Sequence, residues 1–123
     1  MRSSWSVYVI ETDITDVPRF KGTELNKPAV YIGSTSRTIE ERFNQQKDSN
    51  HKLSMKKSNG IPIKLLDEFQ AKSIPSSELA NDIERLIWFK LKTSGNYIMV
   101  QDKYAPSMQN RTDYLDDYPN YGD

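Results

Sequence analysis

The stretch Val30-Tyr31-Ile32-Gly33-Ser34-Thr35-Ser36-Arg37-Thr38-Ile39-Glu40-Glu41-Arg42-Phe43 decides how this chain is read. Its first part is a β-forming run that ends at glycine, so Ala29–Gly33 is the expected strand. Its second part opens a helix. Thr38-Ile39-Glu40-Glu41 has the spacing of a capping box, in which Thr38 accepts from a first-turn amide and Glu41 reaches back. That helix is expected to run to about Lys47, with Ile39 and Phe43 on one face and Arg42 beside their apolar stripe.

Upstream, Ser4–Thr12 carries Trp5, Val7, Tyr8, Val9 and Ile10 and reads as a strand. Residues 13–28, with Asp13, Asp16, Pro18, Gly22, Asn26 and Pro28, read as a long connecting loop. The result is an antiparallel pair with Tyr8 on one strand and Tyr31 on the other. Downstream, residues 50–59 read as a second short helix stopped by Asn59-Gly60. Residues 61–69 read as a third strand, with Pro62 marking an edge or a strand start. Pro75-Ser76-Ser77-Glu78 opens a helix to about Lys92, and Leu79, Ile83, Leu86, Ile87, Trp88 and Leu91 give it an apolar stripe. Gly95 and Asn96 end it, and residues 97–100 read as a short fourth strand. The order β-β-α-α-β-α predicts an α+β fold, a small mixed or antiparallel sheet of three to four strands flanked by helices. Residues 1–100 are the expected domain, and residues 101–123 a polar, acidic, tyrosine-rich tail.

The 123 residues suffice for a single core. The 17 basic and 17 acidic side chains cancel, so net charge does not announce a nucleic-acid binder. The balance is uneven, however. Arg37, Arg42, Lys47, Lys52, Lys56, Lys57 and Lys64 crowd the centre, while Asp113, Asp116, Asp117 and Asp123 follow the last base, Arg111. A central basic surface could track a phosphate backbone while the tail hides it in the sum. With no cysteine, disulfides and thiolate metal sites are excluded, and the lone His51 excludes a multi-histidine site. The sequence carries no membrane-length apolar run and no secretory pattern, so a cytoplasmic protein without a membrane partner is expected.

Several side chains suit phosphoryl chemistry, and each has an ordinary alternative. Tyr8 and Tyr31 on facing strands could aim both hydroxyls into one pocket, or be plain strand aromatics. A phenol titrates near pH 10, so proton abstraction would require nearby positive charge or a metal-bound water. Arg42 could grip a phosphate through two parallel hydrogen bonds, or form a surface ion pair on its own helix. Arg37 sits earlier, at the helix entry, and suits backbone contact. Glu84 lies at the edge of an apolar face, among Ala80, Ile87, Trp88 and Leu91. There a carboxylate needs a metal, an arginine or a hydroxyl as partner. Its alternative is to point sideways into water or pair with Arg85 or Lys90. His51 could serve the scissile phosphate or simply begin a helix at the surface. Asn96 could hold a phosphate or merely end a helix. Lys52, Lys56 and Lys57 suit phosphate positioning, and equally a solvated face.

Tyr31-Ile32-Gly33, the degenerate first half Ser6-Val7-Tyr8, Arg42 on the following helix and Glu84 in Glu84-Arg85-Leu86-Ile87-Trp88 together resemble the GIY-YIG endonuclease family. The resemblance spans about residues 5–97, with Ser6 in place of the family's first glycine. It implies phosphodiester hydrolysis in DNA, with RNA not excluded. Tyr8, Tyr31, Arg42 and His51 would be catalytic, and Glu84 the ligand of one divalent ion, Mg²⁺ or Mn²⁺. Gly33, Arg37, Lys52, Lys56 and Asn96 would contact substrate. No separate DNA-binding domain is expected, so targeting would need the module's own surface, a homodimer or a partner protein. The alternative is a catalytically inactive module of the same fold that binds nucleic acid or protein.

Overall fold

A computed structural model describes residues 4–48 and 59–101. Five strands and two helices form an α+β domain. In chain order they are β1 (Trp5–Asp13), β2 (Ala29–Thr35), α1 (Ile39–Lys47), β3 (Ile61–Leu65), β4 (Ala71–Ile74), α2 (Ser77–Ser94) and β5 (Ile98–Met99). β1 is the hub. It pairs antiparallel with β2 along one side, and with both β3 and β4 along the other. β5 then adds in parallel to β2, through Ala29↔Ile98 and Val30↔Met99.

The side-chain alternation of β1 and β2 explains the layers. Val7, Val9, Val30 and Ile32 face α2, where Ala80, Ile83, Leu86, Ile87, Trp88 and Leu91 close the main core. Tyr8, Ile10 and Tyr31 face the other way and pack with Ile39 and Phe43 of α1 and with Leu65. The sheet therefore lies between the two helices. Both helices are capped as their sequences ask: Thr38 Oγ1 accepts from the Glu41 amide at 3.1 Å, and Ser76 Oγ from the Leu79 amide at 3.1 Å. Gly95, at φ 75°, turns the chain off α2 in the left-handed region. Among the described residues no helix is long and apolar enough to cross a membrane.

Two expectations need correction. Residues 61–69 are not one strand. β3 stops at Leu65, a single 3₁₀ turn occupies Asp67–Phe69, and β4 resumes at Ala71. The break follows from Leu66, whose amide donates to Val9 O at 2.8 Å while its side chain turns into the core. Asp67 then caps its own turn by accepting from Gln70 at 2.8 Å. The sheet thus has five strands rather than three to four. The capping box is also only half made. The Glu41 carboxylate lies 3.5 Å from Arg37 instead of turning back onto the helix entry. The expected helix over residues 50–59 falls outside the described residues, apart from Asn59.

The long loop is anchored to the body of the domain. Ile14 and Val17 are buried with Ala29 and Val100, and Phe20 packs on them. Arg19 reaches Asn59 and the Val100 carbonyl, so this segment seals the end of the sheet where β2 begins.

Candidate active site

Tyr8 and Gly33 face one another across the β1–β2 ladder, and Tyr31 faces Ile10. Both tyrosines lie on the α1 side, with ring centroids 6.4 Å apart. Tyr8 is only 1 % exposed, and its ring reaches across β2 over the backbone of Gly33. A Cβ at position 33 would stand 2.6 Å from Cζ of Tyr8 and closer still to its hydroxyl oxygen. Glycine is needed here for space, because any side chain would displace the phenol. This gives Gly33 a structural reason for its place after Tyr31-Ile32.

α1 presents Arg42 and Gln46 to this pair. They lie four residues apart, one turn along the same face. Gln46 is buried, and its Nε2 sits 3.4 Å from the Tyr31 hydroxyl. Nε of Arg42 is buried without a hydrogen-bond partner among the described residues. It is an unsatisfied buried donor.

Glu84 approaches from the opposite side of the sheet. It is 7 % exposed on α2 and accepts a hydrogen bond from Ser34 Oγ at 2.7 Å. Arg85, one of its neighbours on α2, lies 4.0 Å from Asp82. Gly33 and Ser34 are consecutive, so the one lies under Tyr8 and the other turns to Glu84. They serve opposite faces because side chains alternate along a strand, and on the side away from β1 this part of β2 is open among the described residues. β5 pairs only with Ala29 and Val30, and the Gln101 side chain extends that ladder by one step. Its amide accepts from Ile32 N at 2.9 Å and donates to Ile32 O at 3.0 Å. Trp88 Nε1 holds the Gln101 carbonyl at 2.9 Å. From Gly33 to Thr35 no described strand flanks that side of β2.

The electrostatics tie the groups together. Burial is the main cause that pushes the Tyr8 hydroxyl well above its ordinary 10.0. Tyr31 and Glu84 push it further in the same direction, while Arg42 and Gln46 oppose them. Tyr31 is raised too, again chiefly by burial, with Gln46 and Arg42 opposing and Glu84 adding. Arg42 and Glu84 thus act on both phenols from opposite helices. In the free protein both hydroxyls stay protonated through the neutral range, so they are donors rather than bases.

The remaining candidates are placed elsewhere. Arg37 is exposed at the entry of α1, paired with Glu41 at 3.5 Å. Asn96 is exposed just past Gly95 and precedes β5, which starts against Ala29. The run of α2 from Glu84 to Ser94 carries the chain about 15 Å away, so Asn96 lies toward the other end of β2. His51, Lys52 and Lys56 are outside the described residues. Sequence reasoning missed Ser34, Gln46 and Gln101. Gln46 could have been found seven residues after Ile39, on the same helical stripe. Ser34 and Gln101 carry no local signal, since their partners are 50 and 69 residues away in sequence.

For a metal, the donor on offer is a single carboxylate. No group of three or more His, Cys, Asp or Glu that could hold an ion occurs among the described residues. One carboxylate fits Mg²⁺, which keeps most of its waters and commonly takes one or two protein carboxylates. It would not fit a tightly chelated zinc. No protein-family model, curated protein or solved structure matches the chain.

Proposed function

We propose that the protein is a metal-dependent endonuclease of the GIY-YIG type, hydrolysing phosphodiester bonds in DNA. The observation that carries this reading is the convergence at the Gly33–Ser34 margin. A buried and a half-buried tyrosine, an arginine with an orphaned Nε and a buried carboxylate share one electrostatic neighbourhood there. Arg42 would take a non-bridging phosphate oxygen and offset the charge that accumulates in the transition state. Tyr8 and Tyr31, held protonated, would donate to the phosphate or orient the attacking water. Gln46 fixes the direction of Tyr31. Ser34 would help to orient the Glu84 carboxylate through its hydrogen bond to one oxygen. A divalent ion held at Glu84 would supply Lewis-acid stabilisation of the phosphate and of the leaving oxygen.

The test is incubation of supercoiled plasmid with purified protein in Mg²⁺, in Mn²⁺ and in EDTA, beside Glu84→Gln. Nicking or linearisation by the wild type alone, and only with metal, is the expected result. Plasmid, single-stranded and branched DNA all left intact, yet bound with salt-dependent affinity, would instead identify an inactive binding module.

A further inference from the structure

A groove of about 300 Å³ opens where β1 begins, and its lining includes Ser6, Ser36, Arg37, Lys72 and one carboxylate, Glu40. Ser6 lies on the same face of β1 as Tyr8, two residues before it. The groove therefore starts about 7 Å along the strand from the tyrosine site, the scale of one nucleotide step.

Lys72 reaches this groove through an irregularity. Val7 pairs with Ala71, and Trp5 pairs with Ile74, so two residues of β4, Lys72 and Ser73, stand opposite Ser6 alone. This is a β-bulge, and Ser73 has φ 61°, the one positive φ among the described non-glycine residues. The extra residue lets Ala71 and Ile74 both point into the α2-side core. Lys72 is left projecting to the opposite face, beside Ser6. Bulges recur where a strand must re-aim a side chain beside a functional site. Among the described residues, neither the Lys72 ammonium nor the Ser6 and Ser36 hydroxyls have a side-chain partner within the chain.

We propose that this groove is a second phosphate subsite, in which Lys72, Arg37 and the Ser6 and Ser36 hydroxyls hold the nucleic-acid phosphate next to the scissile one. The proposal takes its ligand class from the nuclease reading. It adds Lys72 as a substrate-binding residue away from the reacting atoms. Phosphate contacts of this kind set register on a strand without reading bases. A neutral chain can thereby acquire a local cationic track.

The test is a ¹H–¹⁵N titration with the 5′-phosphorylated dinucleotide pTpT in EDTA, on wild type, Lys72→Glu and the control Lys21→Ala. Localised shifts at Ser6, Ser36, Arg37 and Lys72 are expected, kept in Lys21→Ala and lost in Lys72→Glu. Shifts that are absent, or undiminished in Lys72→Glu, would overturn the subsite. On a cleavable DNA, Lys72→Ala should raise KM about tenfold and leave kcat unchanged. It should also reduce the salt slope of binding by about 0.7–0.9. Because the dinucleotide readout needs no turnover, the two readings fail separately. Binding in the groove with no DNA ever cut leaves the subsite standing without the nuclease. Metal-dependent cutting with pTpT shifts elsewhere sinks the subsite alone.

Discussion

Gly33→Ala should be destabilising in the wild type and neutral or stabilising once Tyr8 is shortened. The new methyl would meet Cζ of Tyr8 at 2.6 Å, Cε1 at 3.2 Å and the hydroxyl oxygen at still shorter range. Tyr8 cannot swing into solvent, since it is 1 % exposed and wedged among Ile10, Ile39 and Phe43. Overpacking of that kind costs about 1–3 kcal/mol, a fall in Tm of roughly 5–15 °C for a domain of this size. Tyr8→Leu removes all three clashing atoms. The backbone at Gly33 does not have a positive φ, so alanine is free to adopt it. In the Tyr8→Leu background only the unfolded-state effect remains, which favours alanine by about 0.4–1 kcal/mol. Urea denaturation of the four proteins in the cycle gives the coupling directly. A Gly33→Ala cost that is the same with the tyrosine in place and with leucine substituted for it would refute the close approach as the reason for this glycine.

Other expected outcomes follow from the same geometry. Glu84→Gln keeps an oxygen for Ser34, so the fold should persist, while Mg²⁺-dependent cleavage falls by about a hundredfold or more; wild-type nicking by the variant would remove Glu84 from the metal role. Arg42→Ala should lower cleavage by about 10²–10³-fold and raise both phenols further, because Arg42 holds them down; unchanged phenol titration, followed by ultraviolet absorbance, would count against its placement. Gln101→Ala leaves Ile32 N and O without their side-chain partner and should cost about 1–3 kcal/mol, read as a lower urea midpoint. For pH, both tyrosines are raised above the ordinary 10.0 in the folded state. Their contribution is complete below about pH 10 and is lost as pH rises toward the folded values. The slope is up to about 1.4 kcal/mol per pH unit for each tyrosine. Stability measured from about pH 9 to 11 should fall less steeply in Tyr8→Phe than in wild type, and equal slopes would contradict the burial.

Much of the layering was legible because it rests on local periodicity. The stripe of α2 and the alternation of β1 are strong signals, and Glu84 stood out as an acid at the margin of an apolar face. The run from Ile61 to Phe69 misled because its apolar content suits one strand. The break comes from a long-range bond between Leu66 and Val9 that no local pattern encodes. The bulge at Lys72 and Ser73 is similarly invisible: nothing in Ala-Lys-Ser-Ile says that both its apolar ends face one core.

The Gly33–Ser34 pair shows why a site can be written in two adjacent letters and still escape a residue-by-residue reading. Consecutive strand residues serve opposite faces, and inside a sheet those faces are insulated from each other by the ladder. At β2 a group under one face nonetheless acts on groups over the other, as Glu84 does on Tyr8 and Tyr31. Tyr8 can lie over position 33 only if that residue has no side chain, and at position 34 the serine hydroxyl donates to Glu84. Either requirement alone is a packing detail. Both together, at the stretch of β2 that β5 leaves uncovered, bring an α1 arginine and an α2 carboxylate to act on the same two phenols. Ser34→Val should therefore leave the tyrosine cluster packed while removing the hydroxyl that donates to Glu84. A variant that folds as wild type yet loses Mg²⁺ affinity is expected, and undiminished affinity by calorimetry would show that Ser34 does not orient the carboxylate.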